Sequence, residues 1–172
     1  HLSLRRQRQM CIRDRIYGER DLLVSEAIRK GTWSKLDAPG LAAMAAALVY
    51  EPRRDDEGFE PRMPKGEFQN VMEKTQHLWE ELEFLSKKHK LPRSSKIELD
   101  LCYPIYRWAT GAKLDLVLDS ADLLPGDFIR WCKQIIDLLE QISRAGSGAL
   151  SNNAKDAIDS VRRGIVAYSY YA

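Results

Sequence analysis

The chain has 172 residues, 44% of them hydrophobic and 30% charged, the composition of one soluble globular domain long enough to bury a core. Its 27 basic and 25 acidic residues leave a formal charge of +2, too little to mark a nucleic-acid-binding protein by charge alone. The longest apolar run, residues 41–50, falls far short of the roughly 20 residues that a membrane helix requires.

Residues 1–15 stand apart from the rest. They carry Arg5, Arg6, Arg8, Arg13 and Arg15 against a single acid, Asp14, with no sustained apolar period and no apolar region of the kind a signal peptide needs. A transit peptide or a basic RNA-binding arm would suit this composition. Met10-Cys11-Ile12-Arg13-Asp14-Arg15 also resembles the translation of a transposase adapter used in DNA sequencing. The segment is therefore set aside as non-native or disordered, and a helical domain is expected over residues 16–172. Without residues 1–15 the chain holds 22 basic and 24 acidic residues, a formal charge of −2.

From Asp21 onward the predicted elements are all helices. Asp21 to Lys30 reads as a short amphipathic helix stopped by Gly31. Asp37 is placed to cap a second helix, with Pro39 in its first turn and LAAMAAALVY as its body. The alanines allow close helix approach, so this helix is expected at a buried centre. Residues 51–64, with three prolines, a glycine and mixed charge, read as an exposed loop. Phe68, Val71, Met72, Thr75, Leu78, Trp79, Leu82 and Leu85 then keep a three-four spacing through a long helix from about Gly66 to His89. That seam suits a helical hairpin or arm, or packing into a bundle.

A polar connector, 90–96, precedes a helix over 101–109 that ends at Gly111 and a short helix over 114–120. The clearest element follows, residues 124–142. Phe128, Trp131, Cys132, Ile135, Leu138, Leu139 and Ile142 form its apolar stripe, while Arg130, Gln134, Asp137 and Gln141 form a separate polar one. Asp127 is expected to cap its first turn and Gly146 to lie just past its end. Ser151-Asn152-Asn153 are expected to cap a last helix that buries Ala154, Ala157, Ile158, Val161, Ile165 and Val166. No stretch alternates like a strand, so the fold class is all-α, a helical bundle with one long hairpin or arm.

Cys102 and Cys132 sit among apolar neighbours as core residues, and the unpaired cysteines suit a reducing, cytoplasmic setting. His77 and His89 lie too far apart for a metal site. The phosphate-binding loop, dinucleotide turn, nucleophile elbow and zinc-protease helix motifs are all absent, so no catalysis is expected from this chain alone. The pair 114–120 and 127–143 has the outline of a helix-turn-helix, but Phe128 and Ile129 occupy positions where a DNA reader places polar side chains. A stand-alone helical protein-interaction module is a further alternative.

A family resemblance runs through the same residues. It is carried by Ile16-Tyr17-Gly18-Glu19 before Asp21-Leu22-Leu23-Val24-Ser25-Glu26, by Gly31-x-Trp33-x-x-Leu36, and by 41–51. Tyr106-x-Trp108-Ala109-x-Gly111, Asp122-Leu123-x-x-Gly126-Asp127-Phe128-Ile129-Arg130 and Asp137-Leu138-Leu139-x-Gln141-Ile142 continue it, and Arg163-Gly164-Ile165-Val166-Ala167 ends it. In this order they resemble the DSHCT domain, the helical C-terminal domain of superkiller- and exosome-associated DExH-box RNA helicases, actinobacterial members above all. The resemblance implies a monomeric module that packs on two RecA-like motor domains and closes a channel for the RNA strand. ATP and magnesium would belong to those motor domains, and this domain would hold no cofactor. The helix matching 127–143 is the family's ratchet helix, which makes Arg130 the leading candidate for strand contact, followed by Lys133, Gln134 and Asp137. The family often has a basic residue where this chain has Gln134. Tyr106 and Trp108 are candidates for stacking on bases, with burial in the core as the alternative.

Overall fold

A computed structural model describes residues 20–52, 60–91 and 94–172, and every regular element among them is helical. The helices are α1 (Asp21–Lys30), α2 (Ala38–Val49), α3 (Glu67–Lys88), α4 (Cys102–Ala109), α5 (Leu114–Ala121), α6 (Pro125–Ala145), α7 (Gly148–Val161) and α8 (Gly164–Tyr168). The expected boundary near residue 15, and the middle of the 51–64 loop, lie outside the described residues. No described helix is long and apolar enough to cross a membrane.

The alanine-rich α2 is the hub. Its residues Gly40 through Leu48 are all buried, and it packs on α4, α6 and α7. Small side chains let three helices close on one axis, while Leu41, Met44 and Leu48 fill the space between them. Asp37 caps α2 as its position predicts, accepting a hydrogen bond from the Gly40 amide at 2.8 Å. α1 ends at Gly31, whose φ of +68° is the left-handed conformation that glycine adopts without steric cost. Trp33 then turns inward and donates from Nε1 to Thr75 Oγ1 at 3.1 Å, and Thr75 itself donates to the Val71 carbonyl. A threonine on an apolar seam is thereby fully satisfied.

α3 forms the arm. One face of its first half, Phe68, Val71, Met72, Thr75 and Leu78, is buried, but Phe84 and Leu85 are exposed, because the helix runs past the body of the bundle. The chain returns along it without regular structure: Trp79 Nε1 donates to Ser94 Oγ and the Ser95 carbonyl, and the Glu98 amide donates to the Ala47 carbonyl. Cys102 and Cys132 are buried free thiols, and burial pushes both well above the usual thiol range.

Three local expectations need correction. Asp127 is not the N-cap of α6: the helix begins at Pro125 after Leu124, and no side chain caps it. Proline at the first position needs no amide partner and brings its own helical φ, which leaves Asp127 inside the first turn, facing the positive end of the dipole. Ser151, Asn152 and Asn153 lie within α7, which starts at Gly148. There Ser151 donates to the Ser143 carbonyl of α6 at 2.7 Å and Asn153 to the Leu36 carbonyl in the turn before α2 at 3.1 Å, so these two tie α7 to its neighbours instead of starting a helix. The last helix also breaks at Arg162–Arg163, and Val166 is buried from a separate short helix, α8.

Candidate nucleic-acid interface

The two-stripe pattern of α6 becomes a buried face and an open one. Phe128, Trp131, Cys132, Ile135, Leu139 and Ile142 are buried together with Ile136, which the stripe had left out, and Leu138 is half-buried at the flank. Fully burying a side chain of this size contributes about 1.5–3 kcal/mol, so this face pins the helix against α7, α2 and α1. Arg130, Gln134 and Asp137 are exposed on the opposite side, while Lys133 and Gln141 are half-buried there. From Arg130 to Asp137 the row spans about 10 Å at the helical rise. A rigid helix thus holds a line of donors and acceptors toward solvent.

Each member of the row has a defined setting. The Arg130 guanidinium pairs with Asp127 at 3.6 Å and lies 4.9 Å from the Trp131 ring centroid, yet its side chain stays 55% exposed. The Lys133 ammonium donates to the Ser169 carbonyl at 3.4 Å and sits 4.9 Å from the Tyr170 ring centroid. The Asp137 carboxyl is raised above its ordinary range, first by partial burial and then by repulsion from Glu140, with Arg162 opposing. Gln134 stands exposed between them.

Two residues join this face that periodicity alone does not reveal. Arg162, just after α7, pairs with Glu140 at 3.2 Å and lies over the Tyr170 ring at 4.9 Å. Tyr170 follows α8 and comes back over α6. The run Tyr168-x-Tyr170-Tyr171 is the signal in the sequence, but it follows a five-residue helix and has no period to assign it a face.

The proposed aromatic platform fares differently. Trp108 is 2% exposed; its Nε1 donates to the Val161 carbonyl at 2.9 Å, and its ring meets Phe128 edge to face, with centroids 5.4 Å apart. It is a core residue and cannot stack on a base. Tyr106 is half-buried and packs against the same core. At the start of α6, where a major-groove reader would expose polar residues, Phe128 is fully buried.

Comparison with known proteins agrees with the pattern of residues. Residues 11–169 match the model of the DSHCT (NUC185) domain. The chain is 38% identical over 164 residues to a probable helicase HelY of Mycobacterium leprae, covering 89% of this chain and 18% of that protein. A probable helicase HelY of Mycobacterium tuberculosis is 37% identical over the same length and coverage. A DExH-box ATP-dependent RNA helicase, DExH10, of Arabidopsis thaliana is 26% identical over 153 residues, 85% of this chain and 15% of that protein. The chain thus spans less than a fifth of the length of these relatives.

Proposed function

Because the chain belongs to the DSHCT (NUC185) domain family, we propose that it is the helical domain of an ATP-dependent DExH-box RNA helicase, packed on two RecA-like motor domains and lining the path of the strand. The row Arg130–Lys133–Gln134–Asp137, on the side of α6 away from its buried face, carries this reading. A translocating enzyme must hold a strand without reading it, and a few polar groups on a rigid helix meet that need. The arginine supplies a planar donor for phosphate or base edges. Asp137, disfavoured as an anion first by partial burial and then by Glu140, gains from any strand donor such as a 2′-hydroxyl. ATP and magnesium would be held by the motor domains. With a charge near zero, the domain alone would bind RNA weakly, and the motor domains would supply the basic wall of the channel.

Arg130→Ala in the longer protein tests this. The ion pair with Asp127 is exposed and worth about 0–1 kcal/mol, so melting should hardly change. Unwinding and RNA-stimulated ATP hydrolysis at limiting RNA should fall several-fold. Full unwinding activity at limiting RNA would overturn the assignment and leave Arg130 an ordinary surface charge.

A further inference from the structure

The polar row of α6 does not stand alone: the segment after α8 folds back across it. Lys133 donates to the Ser169 carbonyl at 3.4 Å, and the Tyr170 ring receives both Lys133 and Arg162, each cation 4.9 Å from its centroid. Tyr170 keeps 42% of its surface open, and its neighbours Tyr168 and Tyr171 are 77% and 91% exposed. Three tyrosines within four residues are open to solvent and none belongs to the buried core. Tyr170 is the one anchored to α6.

We propose that residues 168–171 form an aromatic wall of the strand path, Tyr170 stacking on a base of single-stranded RNA while Lys133 and Arg162 meet the adjoining phosphates. This rests on the channel reading above and adds the group that reading lacks, since the buried Trp108 cannot serve as a platform. The chemistry is complementary. Phosphates reward cations, bases reward an aromatic face, and every base has one, so such contacts hold a strand without selecting its sequence. The cations lying against Tyr170 also fix the ring before a strand arrives, so less ordering is needed on binding. Asp137 and Glu140 oppose any anion on these cations, an acidic peptide as much as a phosphate, but a strand adds bases that stack on the tyrosine, which carboxylate side chains lack.

The two contributions respond differently to salt, which makes them separable. Phosphate contacts release counterions, so losing one lowers the slope of log affinity against log salt by about 0.7 for a single strand, whereas losing a stacked base leaves the slope unchanged. The probe is a fluorescent oligouridine binding the longer protein, with Tyr170→Ala, Tyr170→Phe, Lys133→Ala and Arg130→Ala compared across a salt series. Tyr170→Ala should weaken binding at least about 5-fold at every salt concentration with an unaltered slope, and Tyr170→Phe should restore it. Lys133→Ala should lower the slope. In the unmodified protein, a 5-iodouridine strand should crosslink on irradiation to the peptide containing residues 168–171, a readout that needs no variant to fold. Wild-type affinity for Tyr170→Ala, equal loss for Tyr170→Phe, or crosslinks only elsewhere would overturn the aromatic wall. If Arg130→Ala still weakens binding in that case, the channel reading stands without the wall. If neither substitution matters and an acidic peptide competes with the probe, this face binds protein and both readings fall.

Discussion

Trp108→Ala is expected to lower the unfolding free energy by about 3–5 kcal/mol, the cost of deleting a large aromatic side chain from a closed core. Few side chains here join so many elements. From α4 the indole reaches the end of α7 by its hydrogen bond to Val161, α6 by its edge-to-face contact with Phe128, and the start of α8 by lying beneath Arg163, whose guanidinium is 3.6 Å from the ring centroid. Its removal leaves a cavity and takes from the Val161 carbonyl one of its two donors, the Arg163 amide at 2.9 Å remaining. Denaturant titration measures the loss, and Trp108→Phe separates its parts: an aromatic ring is kept, so about 0.5–1.5 kcal/mol should be lost with the indole hydrogen bond, the Val161 carbonyl still accepting from the Arg163 amide. A loss under about 1 kcal/mol for Trp108→Ala would mean that this side chain is not where the core closes.

Arg163→Met should cost about 1.5–3 kcal/mol, a large effect for a residue that is not fully buried. Its guanidinium donates to the Trp108 carbonyl at 2.9 and 2.6 Å and to the Ala112 carbonyl at 2.6 Å, stitching the turn between α4 and α5 to the junction of α7 and α8. Partial burial lowers its affinity for a proton, but not enough to discharge an arginine. Methionine keeps much of the packing over Trp108 and removes every donor. Arg163→Lys should recover only part of the loss, because an ammonium cannot span two carbonyls as a planar fork does. Thermal melting should show a drop of several degrees for Arg163→Met, given about 2–4 °C per kcal/mol in a domain of this size. A wild-type melting temperature would remove these hydrogen bonds from the account of stability. The adjacent Gly164 belongs to the same junction: its φ is +50°, and a Cβ there would come within 3.3 Å of the Trp108 ring.

How legible the molecule was in its residues depended on the range of the interaction involved. Most of the α6 stripe, without Ile136, and the α1 stop at Gly31 are read correctly because periodicity and left-handed glycine act within a few residues of chain. Asp37 caps α2 for the same local reason, whereas Asp127, an equally good cap by type, is displaced by Pro125 two positions earlier. Gly146 does follow α6, but with a φ of −78°; it is needed there for space, since a Cβ would meet the Ile142 carbonyl at 3.0 Å and Leu150 at 3.1 Å. Asn153 bonds across 117 residues of chain, and no local rule distinguishes that partner from a helix start. The candidate interface divides in the same way. Arg130, Gln134 and Asp137 share a face by helical spacing, while Arg162 and Tyr170 reach it only through the break after α7 and the turn of α8. The family pattern Tyr106-x-Trp108 marks a conspicuous aromatic pair, but only tertiary packing shows that Trp108 faces inward.

The most direct test of the channel reading is to place a photoreactive benzoylphenylalanine at Gln134 in the longer protein and irradiate it on end-labelled single-stranded RNA. Gln134 is exposed at the middle of the row, so the substitution disturbs no buried contact. A probe at Lys155, exposed on α7, serves as the control. If α6 lines the strand path, Gln134 should form an RNA adduct that unlabelled RNA competes away, and Lys155 should not. No adduct at Gln134 under conditions where the protein binds and unwinds RNA, or equal adducts at both positions, would contradict it.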